Sequence, residues 1–228
     1  MSDTQLAVAI TGAGGAGVIS CGELLLKAWS RGGGYGLLRK AFGPQIRGGE
    51  AAALLKLTGD ESYTAAGSYH VIVALDWVNF GRFEDEIRVS DATVVLCASR
   101  EGMPEALQDL DCCILPLAEL AATAHAEGRI NMVVAGVLAR ALGLPAESLL
   151  EFASARLAGK AEAYREAAAA CIHAGYGQVF ELTHPLPKRS AWDCWCLTGN
   201  QAAAFGALRA GVRFAAAYPI TPASDALE

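Results

Sequence analysis

The stretch Leu6-Ala-Val-Ala-Ile10, running into Thr11-Gly-Ala-Gly-Gly-Ala-Gly17 and then into residues 18–29 with apolar side chains at helical spacing, reads as strand, glycine turn, helix. Gly12, Gly14 and Gly17 satisfy G-x-G-x-x-G between a strand and a helix, and Gly15 lies inside the same turn. That context predicts backbone N–H groups and a helix dipole facing a phosphate. The alternative is that the glycines only let the helix pack closely on the strand. A dinucleotide site of the usual kind adds an acidic residue about 20 positions further on. None stands between Glu23 and Glu50, where Arg31, Arg39 and Lys40 are found instead. Basic residues there suit an extra phosphate, as on NADP or coenzyme A, better than a bare ribose.

Outward from this unit, glycines at 32–34 and 36 end the helix, and residues 37–50, with Phe42-Gly-Pro-Gln-Ile-Arg-Gly-Gly49, carry the punctuation of an ordered loop. Residues 51–57 form the next expected strand. Short apolar runs at 71–75, 93–97 and 112–115 read as buried strands, with a helical stretch at 76–87. Strands alternating with helices predict an α/β domain with a largely parallel sheet flanked by helices. Helices are expected at 117–126, 131–142 and from about 148 to 174 with a break at Gly159. Residues 177–198, with Pro185, Pro187, Lys188 and Arg189, read as a linker or crossing arm. A second unit follows: a helix at 200–210, a strand at 212–218, and Pro219-Ile-Thr-Pro222 opening a helix capped by Thr221. Its thirty residues are too few to bury a core, which marks it as the opening of a domain that continues beyond this chain. The expected organisation is therefore 1–176, 177–198 and 199–228.

Of 228 residues, 53% are apolar and 18% charged, with 18 Lys and Arg against 24 Asp and Glu for a net charge of −6. That excludes disorder, and the missing basic cluster argues against nucleic acid and polybasic membrane docking. The start of the chain has no unbroken apolar stretch, so a cytoplasmic protein is expected. Seven cysteines without a CxxC pair, and four scattered histidines, give no metal-ligand spacing; most cysteines are expected as small buried side chains. Arg47, framed by Pro44 and Gly48-Gly49, reads as an anion clamp or as a plain loop arginine. Asn131 reads as a helix N-cap.

Taken in order, Gly12-Ala-Gly-Gly-Ala-Gly-Val18, Phe42-Gly-Pro-Gln-Ile-Arg-Gly-Gly49, Asn131-Met-Val-Val-Ala-Gly136 and Gly159-Lys160 resemble the gamma domain of 2-oxoacid:ferredoxin oxidoreductases. Gly199-Asn-Gln-Ala-Ala-Ala-Phe-Gly-Ala-Leu-Arg-Ala-Gly211 and Tyr218-Pro-Ile-Thr-Pro-Ala-Ser224 resemble the opening of that family's alpha subunit, a pyrimidine-type thiamine diphosphate domain. The order matches the fused arrangement of two-subunit, 2-oxoglutarate-type or broad-specificity members. The resemblance implies oxidative decarboxylation of a 2-oxoacid to acyl-CoA and CO2 with reduction of ferredoxin, in a hetero-oligomer. Thiamine diphosphate, Mg and a 4Fe-4S cluster would be held mainly by a beta subunit, with coenzyme A as co-substrate and no metal on this chain. It implies Thr221 as the catalytic residue, near thiamine and the substrate carboxylate, with Tyr218 and Pro219 as cofactor-binding residues beside it. The glutamate that activates thiamine and a substrate-binding arginine lie further along the family's alpha domain, so this chain alone is expected to be inactive. Two other readings remain: a stand-alone coenzyme A or nucleotide module that scaffolds or regulates a partner, and an NADP-dependent reductase, for which no hydride-positioning residues are visible.

Overall fold

The computed structural model describes residues 5–44, 48–190, 194–216, 218 and 224. Six strands form one sheet: β1 (Gln5–Ala13), β2 (Tyr35–Phe42), β3 (Glu50–Thr58), β4 (Val71–Ala74), β5 (Val94–Cys97) and β6 (Asp111–Ile114), in the order β2-β3-β1-β4-β5-β6. The β1–β4, β4–β5 and β5–β6 pairings are parallel, while β3 is antiparallel to both β1 and β2. The α/β expectation holds, with a mixed, mostly parallel sheet.

β1 occupies the centre because both of its faces are covered, and its side chains from Leu6 to Thr11 are buried. Such a strand reads as a continuous apolar run rather than an alternating one. Alternate residues serve different layers. Ala7 and Ala9 of β1 and Ala52 and Leu54 of β3 meet Phe80, Phe83, Ile87, Met103 and Leu107 on one face. On the other, α1 (Val18–Arg31) lies on β3, and a Cβ at Gly22 would stand 2.8 Å from that of Ala53. Behind α1 come α2 (Leu117–Ala124), α3 (Ile130–Ala141), α4 (Ala146–Arg156) and α5 (Glu162–Tyr176). α3 and α5 cross at backbone contact, with Gly136 against the Ile172 carbonyl and Gly175 against that of Val133.

Several expectations are corrected. Residues 35–42, expected mainly as loop, form edge strand β2, leaving only 43–49 as a connection. The strand is exposed on both faces, at Leu37 and Arg39 on one and Lys40 and Phe42 on the other, so it lacks the apolar signature of a buried strand. Residues 76–87 are not an α-helix; they hold turns and one 3₁₀ turn, Gly81–Phe83. Asp76 accepts hydrogen bonds from Asn79 N (2.9 Å) and Nδ2 (2.7 Å), making a local turn that competes with helix. Asn131 is not the cap of α3. Arg129 takes that position without a side-chain cap bond, and Asn131 is buried within the first turn.

The chain divides into two compact units, Met1–Cys194 and Trp195–Glu228. Residues 177–190 contain no helix or strand and run along the first unit as a strap. Phe180 is buried, Thr183 Oγ1 donates to Ala92 O (3.2 Å), and the Ser190 amide donates to Gly33 O (2.9 Å). In the second unit α6 (Gly199–Arg209) starts with a capping box between Thr198 and Gln201. The strand expected at 212–218 is not formed by the described residues there, which have no neighbouring strand to bond. Pro219, Thr221 and Pro222, with the helix start expected at them, lie outside the described residues. Cys21, Cys97 and Cys171 are buried and the other four cysteines half-exposed. Among the described residues no helix is long and apolar enough to cross a membrane.

Candidate functional site

β1 and β4 run parallel and end at the same rim of the sheet, where the glycine turn begins. β1 extends through Gly12 to Ala13, and the Leu75 amide donates to Thr11 O (3.0 Å). Just past β4, Asp76 receives the Ala13 amide on Oδ2 (3.1 Å) while its Oδ1 holds Asn79. One carboxylate thereby fixes both the entry to the turn and the loop after β4. From the antiparallel side, the Gly14 amide donates to Gly49 O, which brings the residue just before β3 against the turn. Ala16 N closes the turn on Ala13 O (3.0 Å).

The N-terminus of α1 follows directly. Gly17 takes the cap position in the left-handed region (φ 82°), where it supplies no side-chain acceptor. Its carbonyl accepts from Cys21 N (3.0 Å) and from Asn131 Nδ2 (3.2 Å). Asn131 is 3% exposed, and its Oδ1 has no hydrogen-bond partner among the described residues. Thr11 Oγ1 and Glu50 Oε2 are likewise buried and unpartnered at this end of β1. The first turn of α1 contains no acidic residue, so nothing on the helix itself answers its positive end.

The four glycines divide by what occupies the place of their missing Cβ. At Gly12 it is Leu75 and Val18, at Gly14 the Gly49 carbonyl (2.7 Å), and at Gly17 the Asn131 amide (2.2 Å). Those three serve packing. At Gly15, φ 90°, nothing lies within 4 Å, so the backbone is open to approach there.

The other expected site residues are placed unequally. Arg47 lies outside the described residues, in the loop whose Gly48 and Gly49 adjoin the turn. Pro219 and Thr221 are outside as well, and Tyr218, in the second unit, is 80% exposed. The basic residues that sequence proximity put near the turn are engaged elsewhere. Arg31 ends α1, about 20 Å from the turn at 1.5 Å per residue, and pairs with Glu151 at 2.6 Å. Arg39 pairs with Glu86 (3.1 Å), and Glu23 holds both Lys40 and Arg156. Sequence reading missed Asp76, Glu50 and Thr11, and gave Asn131 the wrong role; the one available signal was an aspartate directly after the buried run 71–75. Among the described residues no three His, Cys, Asp or Glu side chains gather as a metal site.

A strand, a left-handed glycine cap and an uncapped helix start at the carboxyl end of a parallel pair define an α/β protein with an anion-accepting rim. The family model for pyruvate ferredoxin/flavodoxin oxidoreductases matches residues 7–178, and the chain belongs to that oxidoreductase family. No curated protein sequence matches significantly. Among solved structures, a 2-oxoglutarate:ferredoxin oxidoreductase from Magnetococcus marinus, with 2-oxoglutarate, coenzyme A and succinyl-CoA bound, is similar at TM-score 0.78 and 23% identity over 99% of this chain. This chain spans 41% of that protein's length. A pyruvate oxidoreductase subunit from Thermotoga maritima aligns at TM-score 0.59 and 18% identity, over 76% of this chain and 96% of its own. The gamma subunit of a keto/oxoacid ferredoxin oxidoreductase from Geobacter sulfurreducens gives 0.58 and 20%, over 75% and 94%. At these identities the likeness is one of fold.

Proposed function

We propose that this chain is part of a 2-oxoacid:ferredoxin oxidoreductase, with residues 1–176 as a gamma domain, 177–198 as the connection and 199–228 as the opening of an alpha domain. In that assembly it serves the coenzyme A-dependent oxidative decarboxylation of a 2-oxoacid to acyl-CoA and CO2, with ferredoxin as electron acceptor. The observation that carries this reading is the uncapped start of α1, free of acidic residues, at the carboxyl end of β1 in a chain of this family. The alignments support it: two subunit-sized relatives match about three quarters of this chain, while the longer coenzyme A-bound relative matches 99% of it.

The chain's own contribution is binding and orientation. The first-turn amides of α1 hold coenzyme A phosphates, which approach over Gly15, and Arg47 adds a guanidinium from the adjoining loop. Gly12, Gly14 and Gly17 shape that rim. Asp76 and Asn131 are positioning residues: the first holds the Ala13 amide, the second the Gly17 carbonyl. Thiamine diphosphate with Mg, which supplies the decarboxylation chemistry when bound, and the 4Fe-4S cluster are assigned to a beta subunit. Thr221 is assigned to the substrate end, its hydroxyl donating to the 2-oxoacid carboxylate, and Tyr218 and Pro219 to cofactor binding beside it.

The test is purification from the native source, followed by a ferredoxin-reduction assay with 2-oxoglutarate or pyruvate and coenzyme A. A thiamine- and iron-bearing partner that co-purifies, and 2-oxoacid-dependent reduction, are expected. In that complex Thr221→Val should lower kcat/KM by roughly tenfold to a hundredfold, the worth of one hydrogen bond to a charged group, and Thr221→Ser should be mild. Purification without such a partner, and no reduction with either acid, would leave the stand-alone coenzyme A or nucleotide module as the reading. An unchanged Thr221→Val would remove that residue from the substrate site.

A further inference from the structure

The geometry points to a second half of the rim site: Trp77 and Val78 form a shelf for the flat base of a nucleoside phosphate whose phosphate lies over Gly15. This inference rests on the reading of the rim as an anion site, and it adds the part of the ligand that the rim itself does not select.

Its basis is where the chain leaves the sheet. β1 and β4 are parallel neighbours, but their continuations cover opposite faces. From β1 the chain turns through the glycines into α1, whereas from β4 it carries Phe80, Phe83 and Ile87 into the core cluster on the other face. A crevice therefore opens between the carboxyl ends of the two strands, the place where open α/β sheets take their ligands. One wall is the glycine turn with the start of α1; the other is the turn at 76–79.

The two walls are braced together. Asp76 receives the Ala13 amide on Oδ2 (3.1 Å) and the Asn79 amide and side chain on Oδ1, and a Cβ at Gly12 would stand 3.0 Å from that of Leu75. Trp77 is fixed as well. It packs on the core cluster, its indole N–H donates to Ser99 O (2.7 Å), and its ring meets that of Phe80 edge-on at 5.8 Å between centroids. It stays half-exposed, and Val78 beside it is 92% exposed. A lone exposed valine is ordinary. This one continues a half-exposed indole on a braced turn, across the crevice from a helix end that accepts an anion. Residues 77–81 carry no charge. Such a pair of walls suits a ligand that is anionic at one end and flat at the other, and any base can stack on an indole. The adenosine end of coenzyme A and a free nucleotide share that chemistry; a sugar phosphate lacks it.

Calorimetry on the full chain with coenzyme A, AMP and ribose 5-phosphate tests the shelf, since the last two differ in the base. AMP should bind at least about fivefold more tightly than ribose 5-phosphate. Val78→Ser removes exposed apolar surface without adding charge, and should weaken coenzyme A and AMP at least about threefold with an unchanged thermal midpoint. Trp77→Leu keeps an apolar side chain on the core without the ring, and should weaken both at least about fivefold. If it fails to fold, Val78→Ser decides alone. Coenzyme A and AMP both weakened by the shelf variants and by Ala16→Glu at the glycine turn support the shelf. Coenzyme A bound more than about tenfold more tightly than AMP then assigns coenzyme A as the source, and closer affinities assign a free nucleotide. AMP bound no better than ribose 5-phosphate, or coenzyme A weakened by Ala16→Glu but not by Val78→Ser, overturns the shelf and leaves the rim standing. No binding of any of the three, or binding indifferent to Ala16→Glu, overturns the rim reading and the shelf with it.

Discussion

Ala16→Glu separates an anion-binding rim from a glycine turn that only packs. Ala16 is exposed, immediately precedes the Gly17 cap, and has ordinary backbone, the left-handed positions of the turn being Gly15 and Gly17. Its exposure leaves room for a longer side chain, unlike the filled Gly14 and Gly17 positions. The effects of a glutamate there on folding and on binding have opposite signs. The first turn of α1 lacks an acid, so a carboxylate beside it should stabilise the helix by about 0.3–1 kcal/mol. Against a phosphate about 6 Å away, Coulomb's law gives about 0.7 kcal/mol in water and about 2.8 kcal/mol at an effective dielectric of 20. An exposed rim falls between, at about 1–2 kcal/mol, or roughly five- to thirtyfold weaker binding. Calorimetry with coenzyme A and a thermal melt of the same sample read both quantities. Lower affinity with an unchanged or raised midpoint is expected, and Ala16→Gln, neutral and of equal length, should stay within about twofold of wild type. Coenzyme A bound equally by wild type and Ala16→Glu would refute the rim.

Asp76→Ala should cost about 2–3 kcal/mol, because it strips a half-buried carboxylate from the Ala13 and Asn79 amides and the Asn79 side chain; a lowered urea midpoint at constant m-value is the check. Gly17→Ala faces both a left-handed backbone and the Asn131 amide, and should cost more than about 2 kcal/mol. Part of that should return in Gly17→Ala/Asn131→Ala, giving a coupling of at least about 0.5 kcal/mol in a double-mutant cycle. His70 accepts the Ala7 amide on Nδ1 (2.9 Å) and stacks on His184 (3.8 Å between centroids). Burial, then the neighbouring His184, holds its pKa below the ordinary 6.5. The unfolded chain therefore binds the proton more readily, so His70's contribution is complete above about pH 6.5 and is lost as pH falls from there through the lowered folded value. His70→Asn keeps an acceptor and should flatten that acid limb in urea titrations between pH 5 and 7.

What the sequence made legible follows from where each element gains its stability. Strands β1, β3, β4 and β5 are apolar runs because that part of the sheet is covered, and they and the half-exposed edge strand β6, with its short Cys112-Cys113-Ile114 run, lie at or beside their expected places. The break at Gly159 between α4 and α5 was equally readable. β2 was not, because neither of its faces is fully covered, and the consecutive Arg39 and Lys40, on opposite faces, reach the carboxylates of Glu86 and Glu23. Residues 76–87 misled in the other direction. Phe80, Phe83 and Ile87 have helical spacing, yet they anchor three successive turns in the core cluster under the constraint of Asp76.

The rim was half legible for a related reason. A glycine motif records that side chains are excluded, but not what excludes them. Gly14 is filled by a loop some 35 residues along the chain, and Gly17 by Asn131, separated by 114 positions; the brace on Ala13 comes from Asp76, 63 positions away. No local spacing carries such partners, whereas sequence proximity drew in Arg31, which the length of α1 removes to the opposite end. Once those partners are in place only Gly15 keeps an open approach, and it borders the exposed Ala16. That is why substitution at Gly14 would test the clamp on Gly49, and substitution at Ala16 tests the ligand.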